Sequence, residues 1–201
     1  MRAMRIALTG TPGTGKSAVG RELARLGLSV VSLNSFARGR GLLGVRDRAR
    51  RTREMDLAGL GRALERELPA GKGVFLEGHV AHLLEVDHAV VLRCSPPVLR
   101  RRLAARRYPA AKVRENSLAE ALDAITAEAV ARLGRRRVSE LDTTRRTAAS
   151  VASDIARLSR GRFRGAARLR PGRIDWSGDI LRNAGYYSAA RAGRAAGTPK
   201  H

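Results

Sequence analysis

The sequence predicts an α/β fold: three layers around a five-stranded parallel sheet. Three observations predict it. Short apolar runs recur along the chain, at 6–8, 30–31, 74–76 and 89–92, and Val138 and Leu141 bound a fifth short strand. Segments with apolar residues three and four apart lie between them, the period of a helix packed on one face. Residues Gly10 to Ser17 read Gly-Thr-Pro-Gly-Thr-Gly-Lys-Ser, a complete phosphate-binding loop placed straight after the first run. Strand–helix alternation of this kind builds parallel sheets covered on both sides.

The elements follow in order. Arg5–Thr9 is the first strand, and Lys16–Leu26 the first helix, with Val19, Leu23 and Leu26 as its stripe. A second strand runs from Leu28 to Leu33, followed by a short helix at Ser35–Arg38. The stretch Arg46–Arg53 is charged and has no apolar period. Leu57, Leu60, Leu64 and Leu68 then mark a helix over Met55–Leu68. Val74–Leu76 is a buried strand ending at Glu77-Gly78-His79, and Ala89–Leu92 is the next strand. Pro96 and Pro97 open a helix that continues through Leu103. Asn116 or Ser117 is placed to cap one continuous helix, striped by Leu118, Leu122, Ile125, Ala129 and Leu133. Val138–Leu141 is the last strand, and Val151, Ile155 and Leu158 share one face of the last helix. The core domain therefore spans residues 1–160.

Beyond it the texture changes. Residues 161–201 are rich in Arg, Gly and Ala and have no sustained apolar period, which predicts a basic, solvated extension. A local patch, Ile174, Trp176, Ile180 and Leu181, is the one candidate for docking. On this reading a chain ending at Ser159 keeps its fold.

Composition sets further bounds. Apolar residues reach 43% but aromatics only 3%, so the core is built from Leu, Val, Ile and Ala. A single cysteine, Cys94, excludes an internal disulfide framework and a cysteine-based zinc cluster; at the end of a strand it reads as a buried, inert thiol. No run approaches the roughly 18 apolar residues of a membrane span, and no signal-peptide core is visible, so a cytoplasmic protein with no membrane partner is expected. The net charge is +22, and all but four of the 40 basic residues are arginine. Such a surface attracts polyanions through a salt-dependent phosphate term.

The phosphate loop carries the chemistry. A strand that turns into a helix aims several backbone N–H groups at one point, which suits a triphosphate. Lys16 then reaches the β- and γ-phosphates, and the Ser17 hydroxyl is placed to hold Mg²⁺. The guanine-reading Asn-Lys-x-Asp motif of GTP-binding switches does not occur, which leaves a small phosphotransferase using ATP.

Four segments in order carry a resemblance: 8–17 (LTGTPGTGKS), 35–38 (SFAR), 77–79 (EGH), and LRCSPPVLRRRLAARRY with KVREN between 92 and 116. Together they resemble the small adenylate kinases of the isoenzyme 6 type, over about residues 4–158. The resemblance implies the P-loop nucleoside monophosphate kinase fold and the reaction ATP + AMP = 2 ADP, with ATPase activity. It further implies a role in small-subunit (16S rRNA) maturation through a ribosomal protein of the uS11 type, for which pre-ribosomal RNA at the basic surface is a matching partner. It assigns Gly13, Gly15, Lys16, Ser17 and Ala18 to the triphosphate, Arg38 to the monophosphate within a region of about 29–53, and Arg102 and Arg106 to a short lid of about 105–115. It places His79 near the phosphates in ATP hydrolysis. Many members carry Asp where this chain has Glu77; one methylene longer, Glu77 still reaches Mg²⁺ through water. On residue type alone, Arg38 also reads as a surface arginine and His79 as a structural hydrogen-bonder; His82 and His88 take the structural reading. Two alternatives stay open: a ribosome-assembly ATPase switch with little kinase activity, and another small-molecule kinase, such as one for shikimate or a coenzyme precursor.

Overall fold

The structure is a computed structural model that describes residues 4–47, 52–68 and 73–192, with backbone alone for 45–47, 52–54 and 189–192. The strands are β1 (Arg5–Thr9), β2 (Ser29–Ser32), β3 (Leu43–Asp47), β4 (Thr52–Met55), β5 (Val74–Glu77), β6 (His88–Arg93) and β7 (Val138–Asp142). The helices are α1 (Lys16–Arg25), α2 (Leu33–Arg38), α3 (Leu57–Glu67), α4 (Pro96–Ala105), α5 (Ala110–Ala121), α6 (Ala124–Leu133), α7 (Ala148–Arg160), α8 (Ser177–Arg182) and α9 (Ala184–Ala192). Five strands form one parallel sheet in the order β2-β5-β1-β6-β7, so β1 and its loop sit at the centre.

Alternation along the strands divides the core. Ala7, Leu76, Ala89 and Val91 face one layer, with Leu33, Leu60, Leu64, Ala129 and Leu133 from α2, α3 and α6. Ile6, Leu8, Phe75, Val90 and Leu92 face the other, with Val19 and Leu23 of α1 and Val151 and Ile155 of α7. Both faces are covered, which is why these strands read as continuous apolar runs rather than alternating ones. A third cluster, Cys94, Leu99, Leu103 and Val113, joins α4 to α5.

Three expectations are corrected. The helix predicted from Asn116 to Leu133 is two helices, α5 and α6, broken at Asp123 in the left-handed region (φ 56°). Leu122 consequently leaves the stripe and is 60% exposed. The charged stretch Arg46–Arg53 contributes to an antiparallel hairpin of β3 and β4, register Arg46 to Arg53 and Asp47 to Thr52; its residues 48–51 lie outside the described residues. The expected solvated extension is instead anchored on the domain between residues 163 and 187, while Arg162, Arg164, Arg168, Arg170, Arg173 and Arg182 stay exposed. Phe163 and Ala166 are buried in the second core cluster. Asp179 is buried and pairs with Arg100 of α4 at 2.8 Å, while Tyr187 donates to Asp179 Oδ2 at 2.5 Å. Of the apolar patch, Ile174, Trp176 and Ile180 are half-buried, whereas Leu181 is 82% exposed. Periodicity missed the Asp179 contact because two polar residues and one aromatic ring make it. The end of the extension, with Arg194 and Lys200, lies outside the described residues.

Candidate active site

The carboxyl ends of the strands in an open α/β sheet are where loops converge, and the site lies there. β1 ends at Thr9, and the loop turns on Gly10, Gly13 and Gly15, all at positive φ (137°, 95° and 104°). A side chain at Gly13 would meet Leu99 Cδ1 at 2.8 Å, so glycine lets the loop pack against α4. Lys16 starts α1 and is buried; its Nζ donates to the carbonyls of Gly10 at 2.6 Å and Thr11 at 3.0 Å. Burial pushes its pKa down to about 8, against the pull of Glu77 and Glu120, and Arg106 adds to the lowering.

Ser17 Oγ donates to Glu77 Oε1 at 3.1 Å. Glu77 is buried at the end of β5 beside the loop. One hydroxyl and one carboxylate form a hard-oxygen pair that fits Mg²⁺, which keeps several waters and takes only one or two protein ligands. Among the described residues there is no cluster of three or more His, Cys, Asp or Glu side chains, so a caged transition-metal centre finds no support. His79 follows two residues on. Desolvation, then the charges of Lys16, His82 and Lys112, hold its pKa below the ordinary histidine value. Its carbonyl accepts from Thr9 Oγ1 at 3.1 Å.

A cleft of about 380 Å³ opens between the loop, α4 and the segment after β7. Gly13, Gly15, Ala18, Arg102 and Arg106 line it. Arg102 and Arg106, one helical turn apart, thus reach the same cleft. Arg102 Nη2 donates to the carbonyl of Thr143 at 2.9 Å, which fixes its aim. Helix α5 begins at Ala110, inside the predicted lid span of 105–115. Arg38 lies apart, exposed on the last turn of α2. Ser32, one residue before α2, pairs in register with Glu77, so α2 starts beside the site and carries Arg38 outward from it.

Sequence reasoning missed two groups. Thr143, Arg146, Ala148 and Val151 also line the cleft, although every predicted phosphate contact fell before residue 107. Thr143 Oγ1 donates to the Thr14 carbonyl at 2.8 Å and so touches the phosphate loop itself. The signal was available: the end of the last strand of such a sheet always faces the site. The second group is buried. Arg93 pairs with Glu120 at 2.8 Å and with Asp123 and Glu140. Burial disfavours its charge, but Glu120 and the other carboxylates overcome that and raise its pKa. Cys94 beside it is buried, its pKa pushed up to about 11 by burial, as an inert thiol should be. His82 bridges Thr9 Oγ1 and Glu128, each at 3.0 Å, and His88 bonds Ser139 Oγ at 3.0 Å; both are structural.

The profile of the AAA domain family matches residues 6–123. A protein of Natronomonas pharaonis named "Putative adenylate kinase" is 44% identical over 152 residues, 76% of this chain and 88% of that protein. Proteins of the same name from Archaeoglobus fulgidus and Methanothermobacter thermautotrophicus are 38% and 41% identical, over 88% of this chain and 94% and 99% of theirs. Among solved structures, the shikimate kinase of Acinetobacter baumannii superposes with a TM-score of 0.53 at 18% identity, over 80% of this chain and 94% of that one, a likeness of fold. With its complete phosphate loop and these full-length relatives, the chain belongs to the P-loop kinases, in the small adenylate-kinase-like family that its motifs resemble.

Proposed function

We propose that the protein is a nucleoside monophosphate kinase that transfers the γ-phosphoryl group of ATP to AMP and also hydrolyses ATP. One observation carries this reading: the cleft that adjoins the phosphate loop is lined by two arginines, Arg102 of α4 and Arg106 at its C-cap. Phosphoryl transfer needs little covalent chemistry from a protein. It needs alignment and charge neutralisation. The loop N–H groups and Lys16 hold the donor phosphates, and Arg102 and Arg106 offset the charge that spreads over the transferring group. Ser17 and, through water, Glu77 would hold Mg²⁺, which would supply positive charge to offset that of the donor phosphates. Arg38 holds the acceptor phosphate with its guanidinium fork, and α2 swings it inward. His79, kept neutral at physiological pH, orients the attacking water in the hydrolysis branch. The names of the archaeal relatives support adenine nucleotides as substrates.

A second role is supported by charge. The +22 excess and the exposed arginines after Arg160 suit pre-ribosomal RNA, and the family resemblance suggests a uS11-type ribosomal protein as partner. Among the described residues no helix is long and apolar enough to cross a membrane, which fits the cytoplasmic site we propose.

The test is ADP formation from ATP alone and from ATP plus AMP. AMP should raise the rate strongly. Lys16→Ala should lower both rates by about 10²–10³-fold, since one preorganised charge contact to a transferring phosphate is worth roughly 3–4 kcal/mol. Near-normal turnover in a folded Lys16→Ala protein would overturn the reading.

A further inference from the structure

One carboxylate outside the cleft takes hold of the phosphate loop. Glu120 lies near the end of α5, 2% exposed. Its Oε2 accepts from Thr11 Oγ1 at 2.5 Å, and its Oε1 accepts from Cys94 N at 3.0 Å and Arg93 Nε at 2.8 Å. A single side chain thus joins α5, the end of β6 and the second residue of the loop. Thr11 is the pivot of that loop: its carbonyl accepts from Lys16 Nζ at 3.0 Å, Thr14 Oγ1 at 2.9 Å and Thr14 N at 3.2 Å. The glycines at 10, 13 and 15 leave the loop backbone free to take many forms. Something outside it must select one.

We propose that Glu120 is a positioning residue for the phosphate-binding loop, acting through the Thr11 hydroxyl to hold the Gly10–Lys16 backbone in the form that receives the triphosphate. It rests on the kinase reading above. The bland alternative makes Glu120 a counter-ion for Arg93 and nothing more. Geometry argues against it. Arg93 already has Glu140, equally buried, and Asp123. A carboxylate serving only Arg93 would have no need to place its second oxygen on the loop. Preorganisation of this kind acts on binding: when only a fraction of the protein holds the competent form, apparent affinity falls by that fraction, and the bound complex reacts normally.

Thr11→Val keeps the shape of the side chain and leaves the Glu120–Arg93 pair intact. It should raise the KM for Mg·ATP about tenfold, the equivalent of one charge-assisted hydrogen bond, with kcat within about twofold. Thr11→Ser, which restores the hydroxyl, should bring KM back. Glu120→Ala should raise KM similarly, and adding Thr11→Val to it should change KM little further, since both break one link. If Glu120→Ala does not fold, Glu120→Gln takes its place in the cycle. An unchanged KM in Thr11→Val, a KM that Thr11→Ser fails to restore, or increases from positions 11 and 120 that multiply in the double variant would overturn the proposal. Titration of wild type with Mg·ATP separates the two readings. No binding there sinks the kinase assignment and this proposal with it, whereas tight binding by wild type and Thr11→Val alike sinks the positioning role alone.

Discussion

His88 shows how much one buried side chain settles. It opens β6, stacks on Phe163 with ring centroids 3.9 Å apart, and bonds Ser139. Burial first, and Arg137 second, push its pKa from 6.5 to about 4. The unfolded chain takes up this proton near pH 6.5, the folded one only near pH 4. Between those values the unfolded state carries more protons, so stability falls as pH falls, by about 3 kcal/mol across the window. Urea denaturation from pH 7 to pH 4 should show this slope, and His88→Gln should flatten it by that amount. Equal slopes would mean the imidazole charges within the fold. At this scale the sequence was uneven. Gly13, Gly15, Lys16 and Ser17 were legible because a short, local motif dictates their chemistry. Arg93 and Glu120, 27 residues apart, were not. A charged residue inside an apolar strand is a sign of a buried partner, but nothing local names the partner.

The break between α5 and α6 belongs to the scale of elements. Leu118, Leu122, Ile125 and Ala129 keep a helical period across it, so periodicity alone predicts one helix. The two halves answer to different partners. Val113 of α5 packs with Leu99 and Leu103 of α4, and Ala129 and Leu133 of α6 pack on the sheet. Asp123 takes the left-handed conformation that turns one direction into the other, and pairs with Arg93 there. Asp and Asn tolerate that backbone better than other residues with a Cβ. Asp123→Asn should therefore cost about 1 kcal/mol less than Asp123→Ala in equilibrium denaturation, although both remove the charge. Equal losses would show that the ion pair, and not the turn, decides the break.

At the scale of the whole molecule, residues 161–192 carry the largest correction and the largest consequence. Their sequence predicts a solvated segment, because no apolar stripe marks the buried positions. Their anchors are scattered instead. Phe163 stacks on His88, Gly172 N donates to Glu140 at 2.9 Å, Arg135 donates to the Pro171 carbonyl at 2.5 Å, and Asp179 receives Arg100. Tyr186 lies 5.0 Å from the Arg100 guanidinium and 5.4 Å from that of Arg114, across α4 and α5. The segment thus runs from the core past the sheet edge to the helix that bears Arg102 and Arg106. A chain ending at Ser159 exposes His88 and leaves Glu140 and Arg100 without these partners. Loss of the buried Phe163 ring alone should cost about 3 kcal/mol, which for a domain of this size lowers Tm by roughly 6–12 °C. Calorimetry of the two chains at equal ionic strength checks it. Turnover should fall along with Tm, because α4 loses the contacts that hold its arginines over the cleft. A truncated chain that melts with the full one would mean that the buried ring and the Asp179 pair contribute nothing net, and that the 160-residue domain is complete in itself.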